Sequence, residues 1–234
     1  MIPGILGKKL GMTQVFDEDG NKIPVTVIEA GPCVVQRIKT KDKDGYSAVQ
    51  IGYGNTRESL LKKPQREYAK KNGIPAKKFV REIRCDEVSE IKVGDTITTG
   101  QFQEGDYLDI SGITKGKGFQ GGMKRCGWSG GKETHGSMSH RAPGSVGCSA
   151  SPSRIFKGHG MPGQMGNTRA TVQNVLVVEV DKDSSTIAVK GAVPGANGGH
   201  LEIRFAKKRP IAERIVPEEA EEQETNDNKE EAEE

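Results

Sequence analysis

Ser111-Gly-Ile-Thr-Lys115-Gly-Lys-Gly-Phe-Gln120-Gly-Gly-Met-Lys-Arg125 opens a stretch in which the usual signs of a folded core lapse. From residue 111 to residue 170 the chain carries fifteen glycines, nine lysines and arginines, and one acid, Glu133. Three of the four histidines, His135, His140 and His159, fall in the same window. No apolar period of a helix or a strand runs through it. A structureless stretch this long inside a compact domain signals function, or ordering by a partner. The segment reads as a long excursion, and the fold lies on either side of it.

On the N-terminal side the pattern is strands and turns. Thr13–Phe16 and Ile23–Glu29 flank Asp17-Glu-Asp-Gly-Asn21, whose Asp19-Gly20 step is a strong hairpin signal. Cys33–Thr40 and Ala48–Tyr53 flank a second polar turn, Lys41-Asp-Lys-Asp-Gly45. One short helix is expected: Pro64 suits a first helical position, Arg66–Lys71 continues it, and Gly73 is placed to end it. Further strands are expected at Phe79–Cys85, Thr96–Thr98 and Tyr107–Ile110. Beyond the excursion, strand signals resume at Val172–Val180, Thr186–Val189 and Leu201–Phe205. The fold class is therefore mainly β, with a long, basic, glycine-rich, non-regular extension inserted in the body.

Charge sharpens the reading. The whole chain is net +3, but the last stretch, 217–234, holds ten acids and one lysine. That leaves the preceding residues net +12. A basic body with an acidic tail points to a polyanionic partner, and the tail itself reads as disordered and solvated. Hydrophobic residues are 33% of the chain, so its core is modest for its length. No apolar run approaches the roughly 18–20 residues of a membrane span. The N-terminus lacks the apolar core of a secretion signal, so a cytoplasmic location is expected. Cys33, Cys85, Cys126 and Cys148 form no Cys-x-x-Cys pair and read as reduced thiols.

Nine cations with almost no local anion repel one another in an isolated chain. A nucleic-acid backbone removes that repulsion and releases counterions. Glycines let backbone amides approach phosphates closely, while Phe119, Trp128 and Phe156 offer faces for splayed bases. The candidate RNA-binding residues are Lys8, Lys9, Lys115, Lys117, Lys124, Arg125, Trp128, Lys132, His135, His140, Arg141, Arg154, Phe156, Lys157, His159 and Arg169. A plain linker is the bland alternative, but linkers seldom carry charge of a single sign.

Other chemistries fit less well. Gly116-Lys-Gly-Phe-Gln-Gly121 matches a dinucleotide pattern but lacks the strand–helix context and the following acid. The Cys and His spacings match no familiar zinc site, so no metal and no other cofactor is expected. No Asp lies between Ser111 and Val180 to complete a serine–histidine triad. The chain is read as a non-enzyme without a small-molecule substrate. Two rivals remain: a general RNA chaperone acting through charge alone, and a metal-dependent enzyme using the histidine-rich segment.

The run Asp109-Ile-Ser-Gly-Ile-Thr-Lys-Gly-Lys-Gly-Phe-Gln-Gly-Gly-Met-Lys-Arg125 resembles the signature of the bacterial large-subunit ribosomal protein L3 family. So do Gly7-Lys-Lys-Leu-Gly-Met-Thr13, Thr134-His-Gly-Ser-Met-Ser-His-Arg141, Pro143-Gly-Ser-Val-Gly147, Phe156-Lys-Gly158, Gly163-Gln-Met-Gly-Asn167 and Val189-Lys-Gly-Ala-Val-Pro-Gly195. The resemblance implies a β-barrel body with an extension that threads ribosomal RNA toward the peptidyl transferase centre. It also implies binding near the 3′ end of large-subunit RNA, early assembly, and proteins L14 and L19 as neighbours in the cytoplasmic ribosome. On this basis residues 1–110 and 172–216 form the body, 111–171 the extension and 217–234 the acidic tail. The same carry-over puts the extension's tip at Gly144, Ser145, Gly147, Cys148, Ser149 and Ala150. Ala150 stands where some relatives carry a methylated glutamine, so that modification is impossible here.

Overall fold

The computed structural model describes residues 2–17, 19–85 and 91–209. The acidic run 217–234 lies outside the described residues. Twelve strands are present among them: β1 (Gly4–Phe16), β2 (Lys22–Ala30), β3 (Cys33–Lys39), β4 (Ala48–Asn55), β5 (Lys77–Arg84), β6 (Thr96–Ile97), β7 (Tyr107–Ile113), β8 (Gly118–Gln120), β9 (Gly163–Met165), β10 (Arg169–Asp181), β11 (Thr186–Lys190) and β12 (His200–Phe205). Short helices α1 (Lys41–Asp44), α2 (Lys63–Lys71) and α3 (Gly122–Cys126) accompany them.

Six strands close an antiparallel barrel in the order β1-β12-β7-β10-β11-β2. A four-stranded sheet, β5-β4-β3-β6, lies beside it. Barrel residues Ile5, Ile28, Ile110, Ile187 and Ile203 and sheet residues Val35, Val49, Ile51 and Ile83 belong to one buried cluster. That sharing explains a departure from simple alternation. Leu201, Glu202 and Ile203 of β12 are buried in succession, because both faces of the strand are covered. In β2, Val25 and Thr26 are buried together, and the Thr26 hydroxyl donates to the Gly191 carbonyl at 2.6 Å.

Several expectations are refined. The first strand begins at Gly4 rather than Thr13, and its opening half is the buried half. Glycine interruptions hide it, yet Gly7 is needed there: a Cβ would sit 2.6 Å from the Glu29 carbonyl oxygen of β2. The Lys41–Asp44 turn is a single helical turn, ended by Gly45 in the left-handed region with its N–H on the Lys41 carbonyl at 3.0 Å. Helix α2 forms where expected, with proline in its first turn and Lys70 and Lys71 at its end, complementing the helix dipole.

An aromatic column ties β12 to the second sheet. His200 stacks on Phe79 with centroids 4.6 Å apart, Tyr53 meets His200 edge-on at 6.1 Å, and the Arg81 guanidinium lies 4.6 Å from the Phe79 centroid. Burial holds the His200 imidazole below its ordinary pKa, and Lys78, Lys8 and Arg81 push the same way. The folded state therefore binds fewer protons at this site than the unfolded chain. Stability from this histidine is complete above the unfolded value of about 6.5 and falls as pH drops below it. Urea unfolding at stepped pH values should show a loss on acidification that His200→Gln reduces; equal slopes in both proteins would contradict the assignment.

Candidate nucleic-acid interface

The excursion leaves the barrel from two neighbouring strands, β7 and β10, which pair from Ile113↔Arg169 inward. The ladder does not stop at the barrel. Thr114 N–H donates to the Thr168 carbonyl at 2.9 Å, Asn167 N–H to the Thr114 carbonyl at 3.2 Å, and Lys117 N–H to the Met165 carbonyl at 2.9 Å. Strands β8 and β9 then pair through Gly118↔Met165 and Gln120↔Gly163. Neither this two-stranded sheet nor α3 beyond it is legible from the residues alone, because neither buries an apolar row. Between residues 113 and 174 only Gly122 is buried.

Backbone proximity holds the stalk in place of a core. Gly166 has φ +71°, and a Cβ there would lie 2.1 Å from the Lys115 carbonyl oxygen. At Gly122 the ring of half-buried Trp128 covers the backbone; a Cβ would come 2.1 Å from the indole carbons. Arg125 reaches from α3 across the stalk, its Nε donating to the Gln164 carbonyl at 3.2 Å and its Nη1 to the Met161 carbonyl. The Cys126 thiol also faces the Met161 carbonyl, at 3.6 Å. Farther out the backbone–backbone bonds thin to Gly131 N–H on the His140 carbonyl and His159 N–H on the Phe156 carbonyl.

Most of the expected residues present their polar ends to solvent. Lys115, Lys117, Lys124, Lys132, His135, Arg141, Arg154, Lys157 and His159 are exposed along the excursion. His140 is exposed as well, with Nδ1 2.9 Å from the Lys132 carbonyl oxygen. Phe156 is 59% exposed, with the Arg154 guanidinium 5.8 Å from its ring centre. Phe119, at 76%, is more exposed still. Gly144, Ser145, Gly147, Cys148, Ser149 and Ala150 are all exposed. Arg169, at the root, donates to Glu202 at 2.6 Å.

Lys8 and Lys9 differ from the rest. Lys8 is half-buried in β1, opposite Glu29 and His200. Lys9 is a correction: its side chain is buried and Nζ donates to the Val193 carbonyl at 2.8 Å, so it ties β1 to the β11–β12 connection. Burial lowers its pKa, with a further push from Lys115. Its charge serves the fold and is not offered at the surface.

Among the described residues no three His, Cys, Asp or Glu side chains converge on a possible metal position. The shallow cleft between Met123, Ser129, Glu133, His140 and Arg141 holds one histidine and one carboxylate, with no nucleophile–base–acid chain. What the segment does offer is an exposed row of cations, open aromatic faces and close-approach glycines, which matches what a phosphate backbone and splayed bases require.

A family model described as Ribosomal protein L3 matches residues 86–193. The chain is 53% identical over 209 residues to the Large ribosomal subunit protein uL3 of Syntrophotalea carbinolica, covering 89% of this chain and 100% of that protein. It is 50% identical to the corresponding protein of Brachyspira hyodysenteriae, covering 88% of this chain and 95% of that one. For Heliobacterium modesticaldum the figures are 51% identity, 88% and 97%.

With few backbone bonds and no buried apolar side chain, residues 128–160 have little to oppose local opening. In the free protein their amides should exchange almost at unstructured rates, while β7, β10 and β12 stay protected. Strong protection across 128–160 without a partner would show that the segment carries its own order.

Proposed function

The chain belongs to the ribosomal protein L3 family and is a structural protein of the large ribosomal subunit, not an enzyme, and from that premise we propose that it binds large-subunit RNA near its 3′ end and nucleates assembly there. Its place is the cytoplasmic ribosome, with large-subunit RNA and other ribosomal proteins as partners. No helix among the described residues is long and apolar enough to cross a membrane.

In this reading the barrel body rests on the particle surface and the 111–171 extension threads between RNA segments. The carrying observation is the composition of that extension against its burial: nine cations, one acid and a single buried residue between 113 and 174. A segment without a core gains its order from a partner, and here the partner that neutralises it is polyanionic. Lys115, Lys117, Lys124, Lys132, Arg141, Arg154 and Lys157 neutralise phosphates, and Phe119, Trp128 and Phe156 stack on unpaired bases.

The tip, Gly144 to Ala150, reaches toward the peptidyl transferase centre. Its small exposed residues supply no acid, base or nucleophile poised by a partner, so any influence on peptide transfer acts by positioning RNA. Proteins L14 and L19 are the neighbours of the body.

Binding to a 3′-proximal large-subunit RNA fragment, measured over a salt series with bulk tRNA as competitor, tests this. The affinity should survive competitor and fall log-linearly, with a slope of about −0.7 to −0.9 per phosphate contacted. Lys115→Ala with Lys117→Ala should flatten that slope by the equivalent of about two phosphates. Equal affinity for tRNA would favour a general chaperone acting through charge alone.

A further inference from the structure

Where the barrel, the second sheet and the root of the extension meet, a polar cleft of about 350 Å³ opens between β12, β5, β4 and the first residue of β10. Gln50, Arg81, Glu82, Arg169, Glu202 and Arg204 line it, and Val80 is its one apolar wall. Three arginines far apart in sequence converge on it, and no local pattern marks them.

Glu202 organises the group. Its side chain is only 7% exposed, yet it is ionically paired on both oxygens: Oε2 accepts from Arg169 Nη2 at 2.6 Å and Oε1 from Arg204 Nη2. Arg204 Nη2 also lies 3.4 Å from the Glu82 carbonyl oxygen. The Glu82 carboxylate is engaged elsewhere, by Lys39 at 2.9 Å and the Tyr46 hydroxyl at 2.7 Å. Within the cleft, three guanidiniums therefore face one available carboxylate. Each guanidinium carries five N–H donors, and the contacts to Glu202 use a small part of them. The Arg169 side chain remains 60% exposed. Arg81 is exposed, backed by the Phe79 ring.

A buried carboxylate that fixes two guanidiniums while leaving most of their donors free builds a rigid anion receptor. The cleft has too little apolar wall to hold an organic ligand by burial, and its donors suit a small, multiply accepting oxyanion. Arg169 closes the extension's basic stretch, so a nucleic-acid strand following that stretch arrives here. We propose that this cleft is a second RNA-binding site on the body, in which Arg81, Arg169 and Arg204 clasp a backbone phosphodiester, with Glu202 as the positioning residue. This rests on the RNA-binding reading above and adds a site outside the extension.

The test compares full-length variants in the same salt titration on the 3′-proximal RNA fragment. Arg81→Ala, whose side chain makes no ion pair with Glu202, should lower affinity and reduce the slope by the equivalent of about one phosphate. Arg81→Lys should keep the slope, because the charge remains, and lose part of the affinity, because the planar fork does not. Glu202→Gln should lower affinity although it removes a negative charge, which a purely electrostatic surface would not do. A wild-type chain that binds with an Arg81→Ala slope equal to its own overturns the cleft assignment and leaves the extension reading standing. A wild-type chain that does not bind the fragment overturns both.

Discussion

Closure of the barrel at β1 is the constraint on which the remaining architecture depends. This strand pairs along Gly4–Lys8 with β12 and along Gly7–Phe16 with β2, so it seals the sheet on both edges. The seal is tight enough that side chains are excluded from parts of it: a Cβ at Gly4 would lie 2.4 Å from the Ile203 carbonyl oxygen. Beside it, the buried Lys9 ammonium is held by the Val193 carbonyl. A closed barrel leaves no free edge for misplaced pairing. It also fixes β7 and β10 as neighbours, each held on its far side by β12 or β11. The excursion therefore starts and ends at one rigid place, and the cost of closing so long a loop falls on a ladder that the barrel already supports.

From that root outward the source of order changes. Inside the barrel, apolar burial dominates. Along the stalk, backbone hydrogen bonds and glycine crossings such as Gly166 over Lys115 take over. Beyond Trp128 even these become sparse. The gradient gives the molecule two physical regimes in one chain: a body with a buried apolar core, and an arm without one, whose like charges oppose compaction.

The sequence made the β-rich body and the position of the excursion legible, because strand alternation and turn chemistry act locally. Asp19-Gly20 and the proline-started helix at 63–71 are such cases. It hid the first half of β1, since Gly4, Gly7 and Gly11 erase the apolar alternation, and what requires Gly4 and Gly7 is a neighbour nearly two hundred residues away or across the hairpin. The hairpin β8–β9 was hidden for a related reason: it is held by backbone bonds, which leave no side-chain signature. Lys9 looked like any surface lysine, and only the carbonyl of Val193 reveals its structural duty. The arginines around Glu202 come from three separate strands, so their convergence is a property of the fold alone. Family membership was legible because its motifs are dense in glycine and charge, the residues that the arm uses directly.

The central claim is that the body stays at the particle surface while the arm reaches the catalytic RNA. Cys126→Ser leaves Cys148 as the exposed thiol among the described residues, with Cys33 and Cys85 buried. Tethering an iron–EDTA group to Cys148, assembling the protein into large subunits and mapping the hydroxyl-radical cuts gives the direct answer. The account predicts strand breaks clustered in the RNA of the peptidyl transferase region. Breaks confined to surface RNA would contradict it.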